Sequence, residues 1–439
     1  MKSDLVVYSH VDEIIDVLNE WSKKCDPKAF TEFYDIRNLL RQPCEFLMSY
    51  GKKSNGKSTK IQMVMLICFW LYGYESVLLR LYDEDFKQGR AEKMFNGVPA
   101  SFINFLTKGE FDCIKYKFGA WYFGRYDENS KKADKIVTME KAFCYRIHIV
   151  NCGSSFQIPN AYIYFFDEFI RKDSMRAVPH EFVEFMTVLS TLKRRKTNVQ
   201  VFMAGNTVNF YSPYFIGFHI NKMIRHQPQG TIKIMPINSR GGTIACEYCK
   251  SPEEEDKDSD RYFTEDSQTA MITEGAWQLD EYPKLPFEYN HRDIDLTFYI
   301  IFNEMEMRID LISKSIYFVL EEGLEKIVPK PTDKDKKHNQ WLIDNGMEDQ
   351  IIPVYSKDVT CLYCRFLESY ETIDFNEDII YQEDADPRPN IFGNIYAITQ
   401  DWQKIIYTMV RTRKIFYDSN EAGDLLEAYL KRCMANLRK

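Results

Sequence analysis

The stretch Gly51-Lys52-Lys53-Ser54-Asn55-Gly56-Lys57-Ser58 decides the fold of this chain. It matches G-x-x-x-x-G-K-[ST] at every fixed position, a pattern whose backbone N–H groups curl around phosphate oxygens. Lys57 is expected to reach the outer phosphates, and the Ser58 hydroxyl is expected to bind Mg²⁺. Thr59 follows in the first turn of a helix, whose N-terminus adds its positive dipole end. The stretch, called the phosphate loop below, therefore predicts a nucleotide site with Mg²⁺.

The flanking residues support this interpretation. Residues 44–50 have the composition of a buried strand, and residues 59–72 form a long apolar run that ends at Gly73. Strand, loop and helix in this order are the context that the pattern requires. A chance match in a Lys-, Gly- and Ser-rich surface loop is the alternative, and these flanks argue against it.

Composition limits the classes of protein to consider. With 439 residues, the chain is long enough for two or three domains. A net charge of −8 argues against binding nucleic acid over the whole surface and leaves room for a local basic patch. The 11 scattered cysteines favour reduced thiols, and the most apolar stretch, residues 63–71, is too short to span a membrane. We therefore expect a soluble, intracellular protein with no membrane partner.

Two later strands are predicted to deliver polar side chains to the same site. Residues 161–166 are apolar or aromatic and are followed by Asp167 and Glu168. Strand ends of open α/β sheets hold ligands, so Asp167 suits Mg²⁺ and Glu168 suits activation of an attacking water. Capping of the next helix by the two acids is the alternative. The apolar residues 199–204 lead to Asn206, whose amide is a candidate to sense the terminal phosphate.

Three basic features of the sequence each allow two interpretations. Arg80 stands in the apolar run 76–82 and either caps the strand end or contacts the nucleotide. Lys193–Lys196 is a basic cluster typical of a solvated helix C-terminus, and it is also suited to an arginine finger or a nucleic-acid contact. The polar loop 125–135 is more typical of a solvated hairpin tip than of a phosphate-backbone contact.

Beyond these motifs, the sequence resembles the DNA-packaging (encapsidation) ATPases of small phi29-like podoviruses, relatives of the terminase large subunit. The resemblance runs with gaps from about Phe33 to the C-terminus. Its specific part is Phe166–Arg171, read as FDEFIR, together with its spacing to Pro213–Phe215. The other matching stretches are Val178–Pro179, Lys193–Lys196, Gly205–Val208, Asp266–Gln268, Ile415–Asn420 and Ala428–Lys431.

The resemblance implies an ATPase with ATP and Mg²⁺ as ligands. Lys57 and Ser58 would then hold the phosphates and the metal, with Asp167 supporting the metal. Glu168 would activate water, and Asn206 would couple hydrolysis to movement. Arg194 matches the arginine finger that this family supplies to a neighbouring subunit, although a slip of one residue would assign that role to Arg195.

The resemblance also implies partners and a location. The family works as a ring, five subunits on the procapsid portal, that drives double-stranded DNA inward, and some members use a packaging RNA. The place of action would be the host cytoplasm, at the procapsid vertex.

The implied domain plan has four parts. Residues 1–40 are predicted as a helical extension and 41–232 as a P-loop ATPase domain of the ASCE type, with a mainly parallel sheet. Residues 233–288 are predicted as a linker with an acidic loop. Residues 289–439 are predicted as an α+β RNase H-like domain, because residues 293–320 alternate in strand fashion and a helix is expected over residues 422–437. Its first strand lacks the carboxylates that a two-metal nuclease needs, so we expect a vestigial nuclease.

Alternatives of other kinds remain open in the sequence. One is a terminase-type ATPase with an active C-terminal endonuclease, and another is a nucleotide-binding assembly protein without motor activity. A tetrahedral zinc site is a further option for the pairs Cys246/Cys249 and Cys361/Cys364, although their separation is much longer than in a usual zinc ribbon.

Overall fold

The computed structural model describes residues 4–126, 136–150, 152, 158–171, 181–209, 212–250, 274, 276–277, 282–285, 288, 296–302, 305–312, 315–320, 341, 363–364 and 414–437. The chain divides into two compact units. The first comprises residues 1–172, 180–214 and 226–278, and the second comprises residues 173–179, 215–225 and 279–439.

The part of the chain before residue 250 contains both strands and helices. The strands are β1 Phe46–Gly51, β2 Glu75–Arg80, β3 Cys113–Lys117, β4 Ala120–Tyr126, β5 Ile136–Thr138, β6 Cys144–His148, β7 Ala161–Asp167, β8 Gln200–Asn206, β9 Thr231–Pro236 and β10 Thr243–Tyr248. The helices are α1 Val11–Cys25, α2 Arg37–Leu40, α3 Lys57–Tyr72, α4 Arg90–Lys93, α5 Ala100–Leu106, α6 Glu181–Lys193, α7 Pro213–Gly217 and α8 Asn221–Arg225.

The strands of the first unit form one mostly parallel sheet. Along the described part of the chain, the order is β3-β4-β6-β2-β7-β8-β1-β10-β9, with β5 paired to β4. The six strands from β6 to β10 in this order are parallel, and the flanking strands run antiparallel to them. Strand β8 lies between β1 and β7, and the predicted α/β fold with a mainly parallel central sheet is confirmed.

Helix α3 lies inside the first unit because its sequence is apolar on every side. Eleven of its residues are buried, and it ends at Gly73, whose positive φ of 72° lets the chain turn back. Helix α1 packs into the same core, where Trp21 meets Phe102 edge-on at 5.3 Å between ring centroids. The residues predicted as an N-terminal extension are therefore part of the core around the phosphate-loop helix.

The predicted linker 233–288 begins inside the sheet. Strand β10 pairs in parallel with β1, Phe46 opposite Ile244, and β9 pairs with β10. The sequence pattern missed this because β9 mixes lysine and isoleucine on an edge, where one side of the strand is solvated. The acidic run at 253–256 and most of the polar loop 125–135 lie outside the described residues.

The second unit contains a smaller sheet and a long helix. The sheet order is β14-β11-β12-β13-β15, built from β11 Leu296–Phe302, β12 Met305–Ile312, β13 Ser315–Leu320, β14 Tyr363–Cys364 and β15 Lys414–Tyr417. Strand β12 pairs antiparallel with both β11 and β13, and the outer strands β14 and β15 are parallel to their neighbours. Helix α9, Asn420–Leu437, follows. The described elements agree with the predicted α+β arrangement.

Candidate active site

Apart from Arg194, the predicted site residues lie at one edge of the first unit's sheet. Strands β1, β7 and β8 all end there, and we call it the carboxyl edge. Gly51 is the direct partner of Asn206, and Asp167 is the partner of Ala204. Parallel strands bring their ends to the same edge, so the sequence motifs become neighbours in space.

The phosphate loop has a backbone that only a few residue types adopt easily. Gly51, Ser54 and Gly56 have φ angles of 148°, 62° and 85°. Gly56 directly precedes α3, so the loop leads into the helix N-terminus as the pattern requires. Lys53 and Ser54 are exposed, and the Thr59 hydroxyl lies toward Gly97.

The Lys57 amine lies inside the loop and is buried. It donates to the backbone oxygens of Gly51, at 3.3 Å, and Lys52, and to Asn206 Oδ1 at 3.4 Å. Burial lowers the pKa of Lys57, with Asp167 and Cys249 acting in the opposite direction. Within the described residues its hydrogen bonds all go to neutral oxygens, which leaves a buried cation suited to an anionic ligand.

Ser58 and Asp167 form the adjacent pair. The Ser58 hydroxyl donates to Asp167 Oδ1 at 2.6 Å. Burial raises the pKa of Asp167, and both Arg80 and the Ser58 hydrogen bond oppose that rise. A hydroxyl and a carboxylate side by side at a helix N-terminus are the oxygen ligands that Mg²⁺ accepts in such loops. The donor set therefore fits the predicted metal.

Glu168 begins the turn after β7. Its φ of 57° is in the left-handed region, which is unusual for a residue with a side chain. This turn lets two consecutive acids serve one place, since Arg80 contacts both Asp167 and Glu168. The Glu168 side chain is 66% exposed, so it is accessible from solvent.

Arg80 has a contact that neither reading of the sequence anticipated. Its guanidinium bridges the carboxylates of Asp167 and Glu168 and is itself largely buried. Burial disfavours the charged guanidinium, but the carboxylates of Asp167 and Glu168 leave its pKa raised. A direct contact between Arg80 and nucleotide stays a prediction.

Arg194 lies at the opposite edge of the sheet, the amino edge. The nearby Lys196 amine donates to the backbone oxygen of Ala161, the first residue of β7, at 2.6 Å. Strand β7 has seven residues, so at about 3.3 Å per residue the two edges are roughly 20 Å apart. Arg194 and Arg195 are exposed. Arg194 therefore lies too far from Lys57 and Glu168 of its own chain to act with them, and its role as an arginine finger stays a prediction.

Several supporting residues had little or no signal in the sequence. Arg171, the last residue of the FDEFIR motif, pairs with the buried Glu181 and donates to the Tyr82 hydroxyl at 3.1 Å. The only sequence signal was an acid at the start of α6. Tyr34 and Glu247, far apart in sequence, hydrogen-bond beside the loop at 2.6 Å, and nothing in the sequence connected them.

The predicted zinc site is only partly described. Cys246 and Cys249 are buried at the end of β10, while Cys361 lies outside the described residues. No group of three or more metal-ligating side chains was found in the described part of the chain. In the same part, each helix is too short or too polar to cross a membrane.

The sheet order, the loop and the paired acids define the fold and site of a P-loop nucleotide-binding protein. No protein-family model and no curated sequence matches the chain.

Several solved structures align with the chain, among them phage DNA-packaging proteins and large terminases. The Phi-28 gp11 DNA packaging motor aligns at 13% identity and a TM-score of 0.47, over 92% of this chain and 98% of that one. The N-terminal domain of the phi29 DNA packaging ATPase aligns at 19% identity and a TM-score of 0.40, over 51% of this chain and 99% of that one. A large terminase from a thermophilic bacteriophage, solved with ATP-gamma-S, aligns at 10% identity and a TM-score of 0.30, over 96% of this chain and 86% of that one. The chemistry assigned below depends on the site's own residues.

Proposed function

We propose that the chain is an ATPase that packages double-stranded viral DNA into a procapsid. The observation that carries the ATPase assignment is the convergence of Lys57, Asn206, the Ser58–Asp167 pair and Glu168 at one sheet edge. DNA packaging is supported by the FDEFIR stretch and its spacing to Pro213–Phe215, which resemble this class of motor.

Lys57 and the loop N–H groups would hold the phosphates of ATP. The buried amine would exchange its neutral oxygen partners for phosphate oxygens, a charge-assisted contact. Ser58 and Asp167 would hold Mg²⁺, which would neutralise charge on the phosphates. Asn206, already hydrogen-bonded to Lys57, would report the presence of the terminal phosphate to β8.

Glu168 would orient and deprotonate the attacking water. As long as its carboxylate is paired with Arg80, it is less available as a base. Hydrolysis therefore requires Glu168 to leave Arg80, while Arg80 keeps its second contact with Asp167. The exposed position of Glu168 allows this movement without disturbing the core.

Catalysis would be shared between copies of the chain. Arg194 lies at the amino edge, so in a ring it would approach the carboxyl edge of the next copy, where the terminal phosphate is held. A guanidinium placed there stabilises the charge that develops during phosphoryl transfer. We propose a homo-oligomeric ring, of five subunits by analogy with the family, on the procapsid portal in the host cytoplasm, with a packaging RNA as a further partner in some relatives.

The decisive experiment mixes two inactive variants, Glu168→Gln and Arg194→Ala, and measures ATP hydrolysis with Mg²⁺ and duplex DNA. Some interfaces in the mixed rings combine an intact Glu168 with an intact Arg194, so we expect partial recovery of turnover. DNA stimulation should fall steeply with salt, because contacts to phosphates release counterions. Turnover that is indifferent to DNA and to mixing would favour the non-motor assembly protein instead.

An active nuclease is the less supported alternative. The first long strand of the second unit's sheet, β11 Leu296–Phe302, has no carboxylate in its sequence. On β12, the buried Asp310 is paired with Arg308 at 3.2 Å, which leaves it less suited to hold catalytic metals. Nicking of plasmid DNA in Mn²⁺ by the purified chain would revive this alternative.

A further inference from the structure

The phosphate loop is held from outside by two segments that are far apart in sequence. On one side, the Tyr34 N–H donates to the Asn55 backbone oxygen at 2.9 Å, and Phe33 lies against Gly56. On the other side, Asn55 Nδ2 donates to the backbone oxygen of Lys250 at 3.3 Å. Both contacts act on the last two loop residues before Lys57.

The two segments are joined to each other by one buried hydrogen bond. The Tyr34 hydroxyl donates to Glu247 Oε2 at 2.6 Å, and the two side chains are only 3% and 8% exposed. Glu247 belongs to β10, three residues before Lys250. The Tyr34–Glu247 bond therefore closes a ring of contacts around Asn55.

We propose that Tyr34 and Glu247 are positioning residues that keep the phosphate loop in the shape that binds nucleotide. This inference rests on the proposed nucleotide-binding function and adds to it a device that sets affinity. Neither side chain is placed to touch the phosphates. They act on the loop through the backbone of residues 34 and 250 and through Asn55.

The physical reason is the cost of shaping the loop. Three of its residues, Gly51, Ser54 and Gly56, have positive φ angles, so a loop without outside contacts would sample other conformations. A ligand that binds one conformation has its apparent Kd raised by the inverse of that conformation's population. Contacts that fix the loop before ATP arrives therefore lower the Kd without adding a contact to ATP.

The chemistry of the pair fits a positioning role better than a purely stabilising one. A buried carboxylate is costly, and burial raises the pKa of Glu247 to about 7, with Tyr34 opposing and Asp35 adding to that rise. The Cys249 thiol interacts electrostatically with both Glu247 and Lys57. An apolar pair would stabilise the core as well, whereas a short hydrogen bond fixes distance and direction.

Three variants test the proposal by binding of Mg²⁺ with a non-hydrolysable ATP analogue. Tyr34→Phe removes the hydroxyl, Glu247→Leu removes the acceptor, and Glu247→Gln keeps an acceptor oxygen. We expect the first two to raise Kd about tenfold and the Gln variant to stay within about twofold of wild type. The turnover number at saturating ATP should be retained in all three, because Lys57 and Glu168 are untouched.

Tyr164→Phe is the matched control. Its hydroxyl is also buried and donates to the Ala161 backbone oxygen at 3.2 Å, but at the amino edge. It should lower the melting temperature as Tyr34→Phe does and leave Kd unchanged. If Glu247→Leu does not fold, Tyr34→Phe decides the question, since it deletes one oxygen atom.

The outcomes separate this inference from the proposed function. A Kd for Tyr34→Phe within about twofold of wild type would overturn the positioning role while leaving ATP binding intact. Equal rises in Kd for Tyr34→Phe and Tyr164→Phe would also overturn it, since the effect would then be general destabilisation. If the wild-type chain binds no analogue, both proposals fall together.

Discussion

The two edges of the first unit's sheet differ in whether their charged residues are buried or exposed. At the carboxyl edge, Lys57 and Asp167 are buried and fixed by hydrogen bonds. At the amino edge, Lys193, Arg194 and Arg195 are exposed. Buried and fixed groups suit chemistry on a bound molecule, whereas exposed cations suit contact with another macromolecule. The same sheet therefore carries the candidate reaction site at one edge and, at the other, exposed cations that are candidates to contribute to the site of a neighbouring copy.

The largest expected effect is at the carboxyl edge. Glu168→Gln removes the base and keeps the size of the side chain, so ATP turnover should fall about 10²–10⁴-fold while ATP binding is retained. Measurement of turnover and of ATP affinity on the same preparation checks this. Normal turnover in this variant would show that Glu168 has no part in hydrolysis.

Glu75→Gln is the control at the amino edge. Glu75 is a buried acid at the start of β2, paired with Lys141 at 3.1 Å. Its amide variant should lower stability and leave the turnover of folded protein unchanged. Equal loss of turnover in both variants would remove the distinction between the two edges.

The second prediction concerns stability at neutral pH. Arg80→Ala leaves the buried Asp167 without its cation, so the free energy of unfolding should fall by about 3–5 kcal/mol. Lys141→Ala removes the half-exposed partner of Glu75 and should cost about 1 kcal/mol or less. Urea unfolding at pH 7 measures both. Equal losses would mean that the burial of the Arg80 pair has no energetic consequence.

The parts of the site that depend on local sequence could be predicted. The phosphate loop has a fixed spacing of glycines, lysine and serine, and the acids Asp167 and Glu168 follow an apolar strand, so both were recognisable in the chain. Each of these features depends on residues within one element or at its end.

The parts that depend on distant pairing could not be predicted. Arg80 meets Asp167 across 87 residues, and Tyr34 meets Glu247 across 213, so no local pattern connects them. Strand β9 has an exposed edge and lacks the apolar run of a buried strand, which is why its place in the sheet was missed. Tertiary contacts of this kind are decided by the whole fold.

The third prediction is a pH dependence that originates at the carboxyl edge. The pKa of Glu247 is about 7 in the fold against 4.5 for the free group. The folded chain therefore keeps a proton that the unfolded chain has lost, and stability falls as pH rises from about 4.5 to about 7. The difference of about 2.5 units corresponds to about 3 kcal/mol.

Glu247→Gln should remove this dependence. Urea unfolding at several pH values between 4.5 and 8 should show the variant gaining on wild type as pH rises, with the gain levelling off above pH 7. Parallel curves for the two proteins would show that Glu247 ionises normally in the fold. The burial of this carboxylate would then make no contribution to the pH dependence of stability.

The smallest expected effect concerns a feature that both edges share. Glu168 and Arg194 both have positive φ angles, 57° and 44°, which strain residues with a side chain. Arg194 follows the end of α6, where glycine is the preferred residue, so Arg194→Gly should raise the free energy of unfolding by about 0.5 kcal/mol. Arg195→Gly, where φ is not positive, should lower it slightly because glycine adds entropy to the unfolded chain. Urea unfolding of the two variants side by side gives the sign of each change in the free energy of unfolding. A lower free energy of unfolding for Arg194→Gly would mean that the arginine side chain stabilises its own fold. That result would weaken the case that Arg194 serves a neighbouring copy.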